Sequence, residues 1–182
     1  RESFIARVMD YVRHPSISAQ NIGIAEVAAL LVRMLRDLGL EAEAVPTVNQ
    51  PMVLARWEKK PGAPTVLLYG HYDVQPVDPV DLWESPPFEA TVRDGEIYAR
   101  GAADDKGQVF MHFKAVEAHL KQHGNLPVNM KFLIEGEEEV GSANLDNFIR
   151  AHKDLLKADV VVISDSPMFD RGIPSICYGL RG

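Results

Sequence analysis

Apolar residues recur at helical spacing in four stretches of the chain. The predicted helices cover residues 4–12, 24–38, 107–123 and 143–156. Pro15 ends the first helix, because proline cannot continue one. Gly39 is a typical C-terminal stop for the second helix, and Ser142 is a candidate N-cap for the last.

Short extended stretches lie between these helices. They read "EAEAV", "MVLARWE", "TVLLYG", "VNMKFLIEG" and "DVVVISD". The third and the last are continuous apolar runs, which predicts strands covered on both faces of a sheet. Residues 88–100 predict a hairpin around Asp94 and Gly95. This mixture of helices and apolar strands indicates one layered α/β domain, a sheet flanked by helices.

Composition narrows the class of protein. The 182 residues are 46% hydrophobic and carry a formal net charge of −7, and no cluster of basic residues is present, which argues against nucleic acid as a partner. No apolar run approaches the roughly 20 residues that span a bilayer, and no signal peptide opens the chain. The single cysteine, Cys177, is predicted to be a small buried residue and excludes an internal disulfide. These features predict a cytoplasmic protein without a membrane segment.

Acidic residues and one histidine follow the ends of the predicted strands. They are His71 and Asp73, Asp104 and Asp105, the run from Glu135 to Glu139, and Asp165. Ligand crevices of α/β sheets lie at the carboxyl ends of the strands. Carboxylates gathered there repel one another unless a cation neutralises them. Carboxylates with an imidazole suit zinc, with manganese or cobalt as alternatives, and the number of acids predicts two metal ions.

Spacing suggests roles for some of these side chains. His71 and Asp73 are two residues apart, so an extended chain projects them to one side. A metal-bound histidine usually donates its second ring N–H to a carboxylate or a carbonyl, and Asp73 is the local candidate. Glu138 and Glu139 are adjacent and point in different directions, so that one can bind metal while the other faces a water molecule. Spacing alone does not decide between Asp104 and Asp105.

Four motifs together resemble one family of enzymes. "YGHYDVQP", "GAADDKGQ", "EGEEEVGS" and "ISDS" are similar to those of the co-catalytic zinc metallopeptidases, which include carnosine-type dipeptidases, aminoacylases, acetylornithine deacetylase and succinyl-diaminopimelate desuccinylase. "RHPSIS" and "DLWESPPF" resemble the carnosine-type dipeptidase branch. The resemblance covers nearly the whole chain and implies a zinc-exopeptidase-like catalytic domain.

The resemblance also implies a role for each site residue. His71 and Asp165 bind the first metal, Asp104 bridges the two ions, and Glu139 binds the second. Asp73 orients His71, and Glu138 is the general base. The family also has a cis peptide bond after the bridging aspartate, which here joins Asp104 to Asp105.

One departure from the family pattern concerns the end of the chain. The family takes a further histidine ligand from a downstream segment and inserts a lid domain, which forms dimers, after a stretch resembling "CYGLRG". Residues 1–182 are therefore interpreted as the N-terminal portion of the catalytic domain, without the lid domain and the C-terminal catalytic segment. We expect little activity from these residues alone, and a homodimer formed through the lid in the complete protein.

The predicted function is metal-dependent hydrolysis of the amide bond of dipeptides or other small peptides. Two alternatives stay open: an N-acyl-amino-acid deacylase with the same metal centre, and a non-catalytic metal-binding or interaction module. An intact Glu138 argues against the second alternative, because a binding module has no use for a general base. His119 and His123 have the i, i+4 spacing of metal ligands, but no glutamate follows His119 in the HExxH manner, so both are predicted to be surface residues.

Overall fold

The computed structural model of the chain describes residues 2–170, 172–173 and 175–176. Within them, the α-helices span Glu2–Val12 (α1), Ile24–Asp37 (α2), Lys106–His123 (α3), Leu145–Ala151 (α4) and Lys153–Leu156 (α5). The strands span Glu41–Val45 (β1), Met52–Trp57 (β2), Thr65–His71 (β3), Thr91–Arg93 (β4), Glu96–Tyr98 (β5), Asn129–Glu135 (β6) and Val160–Ile163 (β7). Cys177 and the "CYGLRG" stretch lie outside the described residues, so the prediction for Cys177 stays a prediction.

Five of the strands form one mixed sheet in the order β1-β2-β6-β3-β7. β3 runs parallel to both β6 and β7, whereas β2 is antiparallel to β1 and β6. His71 pairs in register with Glu135 at the carboxyl ends of β3 and β6. β4 and β5 form the predicted separate hairpin around Asp94 and Gly95. The parallel core strands therefore end side by side, where the sequence places its acidic residues.

Helices cover both faces of this sheet, as predicted. α1, α2 and α3 pack on one face around a core that includes Leu31, Phe113 and Phe132. α4 and α5 pack on the other face, where Phe148 and Leu156 contact side chains of β2, β3 and β6. β3 contributes to both cores, because its successive side chains alternate between the two faces. The layered α/β prediction is confirmed.

Sequence signals fix the helix on residues 24–37. Val27, Leu31 and Leu35 are fully buried along one stripe of α2. The helix ends where Gly39 adopts a φ of 85° and its N–H donates to the Arg36 carbonyl. That left-handed conformation is open to glycine, so the predicted stop signal is confirmed.

The prediction for residues 143–156 was wrong in two respects. The segment forms two short helices, which are separated at His152 with φ −115° and ψ 24°. There the His152 backbone N–H and ring Nδ1 both contact the Phe148 carbonyl, at 3.0 and 2.9 Å. Ser142 is not the cap, because Asn144 precedes α4 and the Ser142 hydroxyl donates to Glu135 instead, at 3.0 Å. A partner at the end of the preceding strand has replaced the local hydrogen bond that the sequence suggested.

The prediction of a fully buried last strand was also wrong. β7 lies at the edge of the sheet, and Val160, Val161 and Ile163 are 50%, 57% and 60% exposed. An apolar run predicts a covered strand, but it does not show which neighbouring segments among the described residues cover it.

Among the described residues, none of the helices combines the length and the apolarity that crossing a bilayer requires.

Candidate active site

The chemically active side chains lie at one edge of the main sheet. His71 is the last residue of β3 and is completely buried. Asp104 lies just before α3, the turn from Glu135 to Ser142 follows β6, and Asp165 follows β7. Because β3 lies between β6 and β7, these segments surround His71.

His71, Asp104 and Asp165 form a cluster that fits a metal ion. The Nε2 atom of His71 lies 3.0 Å from Asp104 Oδ1 and 3.5 Å from Asp165 Oδ2. One potential ligand atom from each residue lies within 4.8 Å of the other two. One imidazole nitrogen with two carboxylate oxygens is a donor set that suits zinc, manganese or cobalt.

The other ring nitrogen of His71 faces Asp73. His71 Nδ1 lies 3.0 Å from the Asp73 carbonyl oxygen and 3.4 Å from its carboxylate. With Nδ1 held by these oxygens, Nε2 is the nitrogen directed at Asp104 and Asp165. The sequence suggested Asp73 as the partner of this nitrogen, and the backbone carbonyl is the nearer of its two oxygen groups.

The Asp73 carboxylate makes a second set of contacts. It is completely buried and accepts the backbone N–H groups of Glu138 and Glu139, at 3.2 and 3.1 Å. Hydrogen bonds of this kind from backbone amides stabilise a buried carboxylate without a cation. Asp73 therefore joins the histidine to the turn that carries both glutamates.

Glu138 and Glu139 point in different directions, as the sequence analysis expected. Glu138 Oε2 lies 3.9 Å from His71 Nε2. Glu139 Oε2 accepts a hydrogen bond from Gln75 Nε2 at 2.7 Å. Glu139 lies outside the three-residue cluster, so the described residues assemble one potential metal site more fully than the other.

Burial and neighbouring carboxylates shift the pKa values of three residues at the site. Burial by itself would lower the pKa of His71, but the hydrogen bond and charge of Asp73, followed by the charges of Asp105 and Asp165, raise it to about 10. Burial raises the pKa of Asp105 to about 7, although the His71 backbone N–H lowers it. Burial also raises the pKa of Glu139. The carboxylates attract a positive charge to the His71 Nε2 position, and a metal ion would supply one.

Within the described part of the chain, the carboxylates at this edge of the sheet form few ion pairs. We call Asp73, Asp104, Glu138, Glu139 and Asp165 the site carboxylates. Among the described residues, the ion pairs that these groups form within 4.0 Å all involve His71. A divalent cation would neutralise the site carboxylates gathered around His71.

Two residues support the site in roles that the sequence analysis did not assign. Asp105, which is 1% exposed, accepts the backbone N–H of His71 at 3.1 Å. A Cβ on Gly70 would lie 2.6 Å from the same carboxylate oxygen, so glycine permits this close approach. His112 on α3 contacts the Ser164 hydroxyl at 2.8 Å, directly before Asp165. The sequence indicated Asp105 as one of two adjacent acids but did not indicate its role. It contained no signal for the contact between His112 and Ser164.

Two structural predictions about the region can be checked directly. The peptide bond between Asp104 and Asp105 is cis, as predicted. His119 and His123 are exposed near the end of α3, with ring centroids 5.7 Å apart, and lie apart from the cluster. The surface prediction for these two histidines is confirmed.

An α/β domain with a histidine-carboxylate cluster at its strand ends has the features of a metal-binding α/β fold. Residues 67–177 match the model of Peptidase family M20/M25/M40, and the chain belongs to this family. The matched residues include His71, Glu138, Glu139 and Asp165.

Relatives with similar sequences are dipeptidases. The chain is 43% identical to the human Beta-Ala-His dipeptidase and 36% identical to the Cys-Gly metallodipeptidase dug1 of Schizosaccharomyces pombe. Both matches cover 100% of this chain, but only 39% and 42% of the two relatives. The chain thus spans about two fifths of the length of the curated relatives it matches.

A solved structure shows the same architecture. The M20 family metallo-carboxypeptidase Sso-CP2 of Sulfolobus solfataricus superimposes with a TM-score of 0.86 at 40% sequence identity. The match covers 91% of this chain and 38% of that one. The fold of the described residues is therefore that of part of an M20 catalytic domain.

Proposed function

We propose that the complete protein hydrolyses the amide bond of dipeptides or other small peptides in a metal-dependent reaction. The observation that carries this proposal is the cluster of His71, Asp104 and Asp165 with the Glu138 carboxylate 3.9 Å from the histidine nitrogen. A metal-ligand set with a carboxylate beside it is the arrangement of metal-assisted hydrolysis. Similarity to Beta-Ala-His and Cys-Gly dipeptidases supports dipeptides as substrates.

The chain's own residues divide the chemistry among them. His71, Asp104 and Asp165 would hold one ion, and Asp104 with Glu139 would hold the second. When bound, the metal ions polarise the scissile carbonyl and lower the pKa of a water molecule. Glu138 takes the proton from the attacking water and delivers it to the leaving amine. Asp73 fixes the tautomer of His71 and the backbone of the two glutamates.

The metal and the cellular location are narrower proposals. The imidazole in the donor set supports zinc, while manganese and cobalt use similar ligands. The cytoplasmic location stays a prediction from the sequence.

An apolar groove that the described residues leave open supports the interpretation of residues 1–182 as the first part of a catalytic domain. The groove has a volume of about 560 Å³, and its lining includes Leu67, Leu133, Ile149, Val161 and Ile163. Apolar surface of this kind is normally buried against another segment. The greater length of the relatives supports a further segment that covers it. A lid domain and a homodimer formed through it stay predictions.

Assays of the full-length protein test the proposed function. We expect hydrolysis of dipeptides such as Beta-Ala-His and Cys-Gly that is abolished by a chelator and restored by zinc. N-acetyl amino acids, assayed in parallel, test the deacylase alternative. Turnover of acetylated substrates alone would replace the peptidase proposal, and zinc binding without any turnover would favour the non-catalytic module. Residues 1–182 alone are expected to show little activity, and robust turnover by them would refute that part.

A further inference from the structure

Glu137 is a buried carboxylate that the proposed mechanism does not use. It directly precedes Glu138 and is only 1% exposed. Its Oε1 atom accepts the Gln50 backbone N–H at 2.9 Å, and Oε2 accepts the Asn144 backbone N–H at 3.2 Å. The Asn144 side-chain amide lies 2.9 Å from both oxygens. Both oxygens of Glu137 are therefore occupied by N–H donors, which makes Glu137 an unsuitable metal ligand.

The donors to Glu137 come from two separate parts of the fold. Gln50 lies in the connection between β1 and β2, and its side chain also bonds Asn21 at 3.0 Å. Asn144 directly precedes α4. The Glu137 carboxylate thus ties the turn after β6 to a loop on one side and to a helix start on the other.

The backbone of Glu137 also closes the turn. Its carbonyl accepts the N–H groups of Val140 and Ser142, at 3.2 and 2.8 Å. Glu138 and Glu139 therefore lie within a turn that is closed by two hydrogen bonds to the Glu137 carbonyl. Fixing the Glu137 side chain fixes the base of that turn.

The neighbouring residues leave the turn little room to shift. A Cβ on Gly136 would lie 2.4 Å from the Tyr72 hydroxyl, which itself donates to the Pro51 carbonyl at 2.7 Å. On the other side of Glu137, Asp73 holds the N–H groups of Glu138 and Glu139. The backbone around Glu138 is thus held by Tyr72, by Asp73 and by the contacts of Glu137.

We propose that Glu137, held by Asn144, is a positioning residue that directs the Glu138 carboxylate towards the reacting water. The inference rests on the proposed function, in which Glu138 is the general base. Misplacement of a catalytic group by about 1 Å costs on the order of 100-fold in rate. Glu137 acts through Glu138 and does not touch the substrate.

The test uses the full-length enzyme and the change Glu137→Gln. Glutamine keeps the size of the side chain but replaces one acceptor oxygen with an NH2 group, which cannot accept from the Asn144 or Gln50 N–H. We expect kcat to fall about 10- to 100-fold, while KM and the zinc content stay at the wild-type values. Asn144→Ala should lower kcat in the same direction, and it carries the test if Glu137→Gln does not fold as judged by circular dichroism. Asp146→Asn, an exposed change on α4, is the matched control and should leave kcat unchanged.

A double-mutant cycle separates positioning from general stability. In the Glu138→Gln background, Glu137→Gln should lower the residual rate less than twofold, because the group that it positions is gone. Independent, multiplying losses in the double mutant would overturn the proposal, as would loss of zinc from Glu137→Gln. A lowered melting temperature with wild-type kcat would reduce Glu137 to a structural residue. Full activity of Glu138→Gln would refute the base assignment itself and this inference with it.

Discussion

Two groups of carboxylates in this molecule are stabilised in opposite ways. Glu117 on α3 has an 11% exposed side chain and forms ion pairs with three cations, Arg7, Lys114 and Lys121. Among the described residues, the ion pairs of the site carboxylates involve His71 alone. The fold places three cationic side chains around Glu117. It places the site carboxylates close together around His71.

The difference shows how a fold can hold several carboxylates close together by hydrogen bonds from N–H groups. Backbone N–H groups hold Asp73, and backbone N–H groups with the half-buried side-chain amide of Asn144 hold Glu137. These donors satisfy the carboxylate oxygens while they add no net positive charge. The negative charge of Asp104 and Asp165 beside His71 attracts a divalent cation.

The largest effect is expected from the two adjacent glutamates in the full-length enzyme. Glu138→Gln should lower kcat by about 10²–10⁴-fold, because the proton acceptor is lost, and it should keep two zinc ions per active site. Glu139→Gln should lose one of the two ions. Steady-state kinetics and metal analysis of both variants check this. Loss of zinc from Glu138→Gln with zinc kept in Glu139→Gln would show that the two roles are exchanged.

The next effect concerns the number of metal ions held by residues 1–182 alone. After equilibration with excess zinc and removal of loosely bound ions, we expect one zinc per chain. Asp104→Ala should weaken zinc binding by more than the roughly 10- to 100-fold that loss of an outer-shell partner costs. Glu139→Ala should keep the ion, because Glu139 lies outside the cluster.

Metal analysis of the wild-type chain, Asp104→Ala and Glu139→Ala tests the number of sites and their ligands. Two zinc ions on the wild-type chain would contradict the inference that only one site is assembled here. An ion kept by Asp104→Ala would remove Asp104 from the ligand set.

The positions of His71, Asp104 and Asp165 could be expected from the sequence. Each follows or precedes an element that was recognisable from its apolar pattern, and parallel strands end at a common edge. The family resemblance then separated Asp104 from Asp105, which local spacing did not do. Helix α2 and the hairpin at Asp94 were predictable for a similar reason, since their signals are contained within a few residues.

Features that depend on partners outside the local element could not be predicted. Ser142 has the chemistry of an N-cap, but Glu135 competes for its hydroxyl. The contact of His112 with Ser164 joins residues 52 positions apart. The exposure of β7 depends on whether a neighbouring segment is present. Local propensity gives no information on any of these three outcomes.

A moderate effect on stability is expected when zinc binds to residues 1–182. A ligand that binds the folded chain alone stabilises it by about 2.7 kcal/mol at a concentration of 100 times its Kd. Asp165→Asn should lose this gain, because it removes a ligand of the cluster. Glu117→Gln should lower the starting stability and keep the gain. Urea unfolding with and without zinc measures both, and an equal gain in Asp165→Asn would contradict the site.

The smallest effect is the pH dependence that Glu117 contributes. Burial would raise its pKa, but hydrogen bonds and charges from Lys114, Lys121 and Arg7 lower it from 4.5 to about 2. A pKa that is lower in the folded state stabilises the fold above the unfolded value, and this contribution disappears as the pH falls through about 2. Arg7 and Lys121 are 47% and 75% exposed, so solvent screening limits the contribution to the order of 1 kcal/mol.

The variant Glu117→Gln should therefore be less stable than the wild type at pH 6, and the difference should shrink steadily between pH 4.5 and pH 2. Urea unfolding in the presence of a chelator measures it without a contribution from metal. Glu84→Gln is the matched control, because the Glu84 side chain is 81% exposed in its pair with Arg93 and should change stability by less than about 0.5 kcal/mol. An equal loss in Glu117→Gln at pH 6 and pH 2 would mean that packing, and not the charge, is what Glu117 contributes. The contrast with the site carboxylates would then rest on the metal-binding results alone.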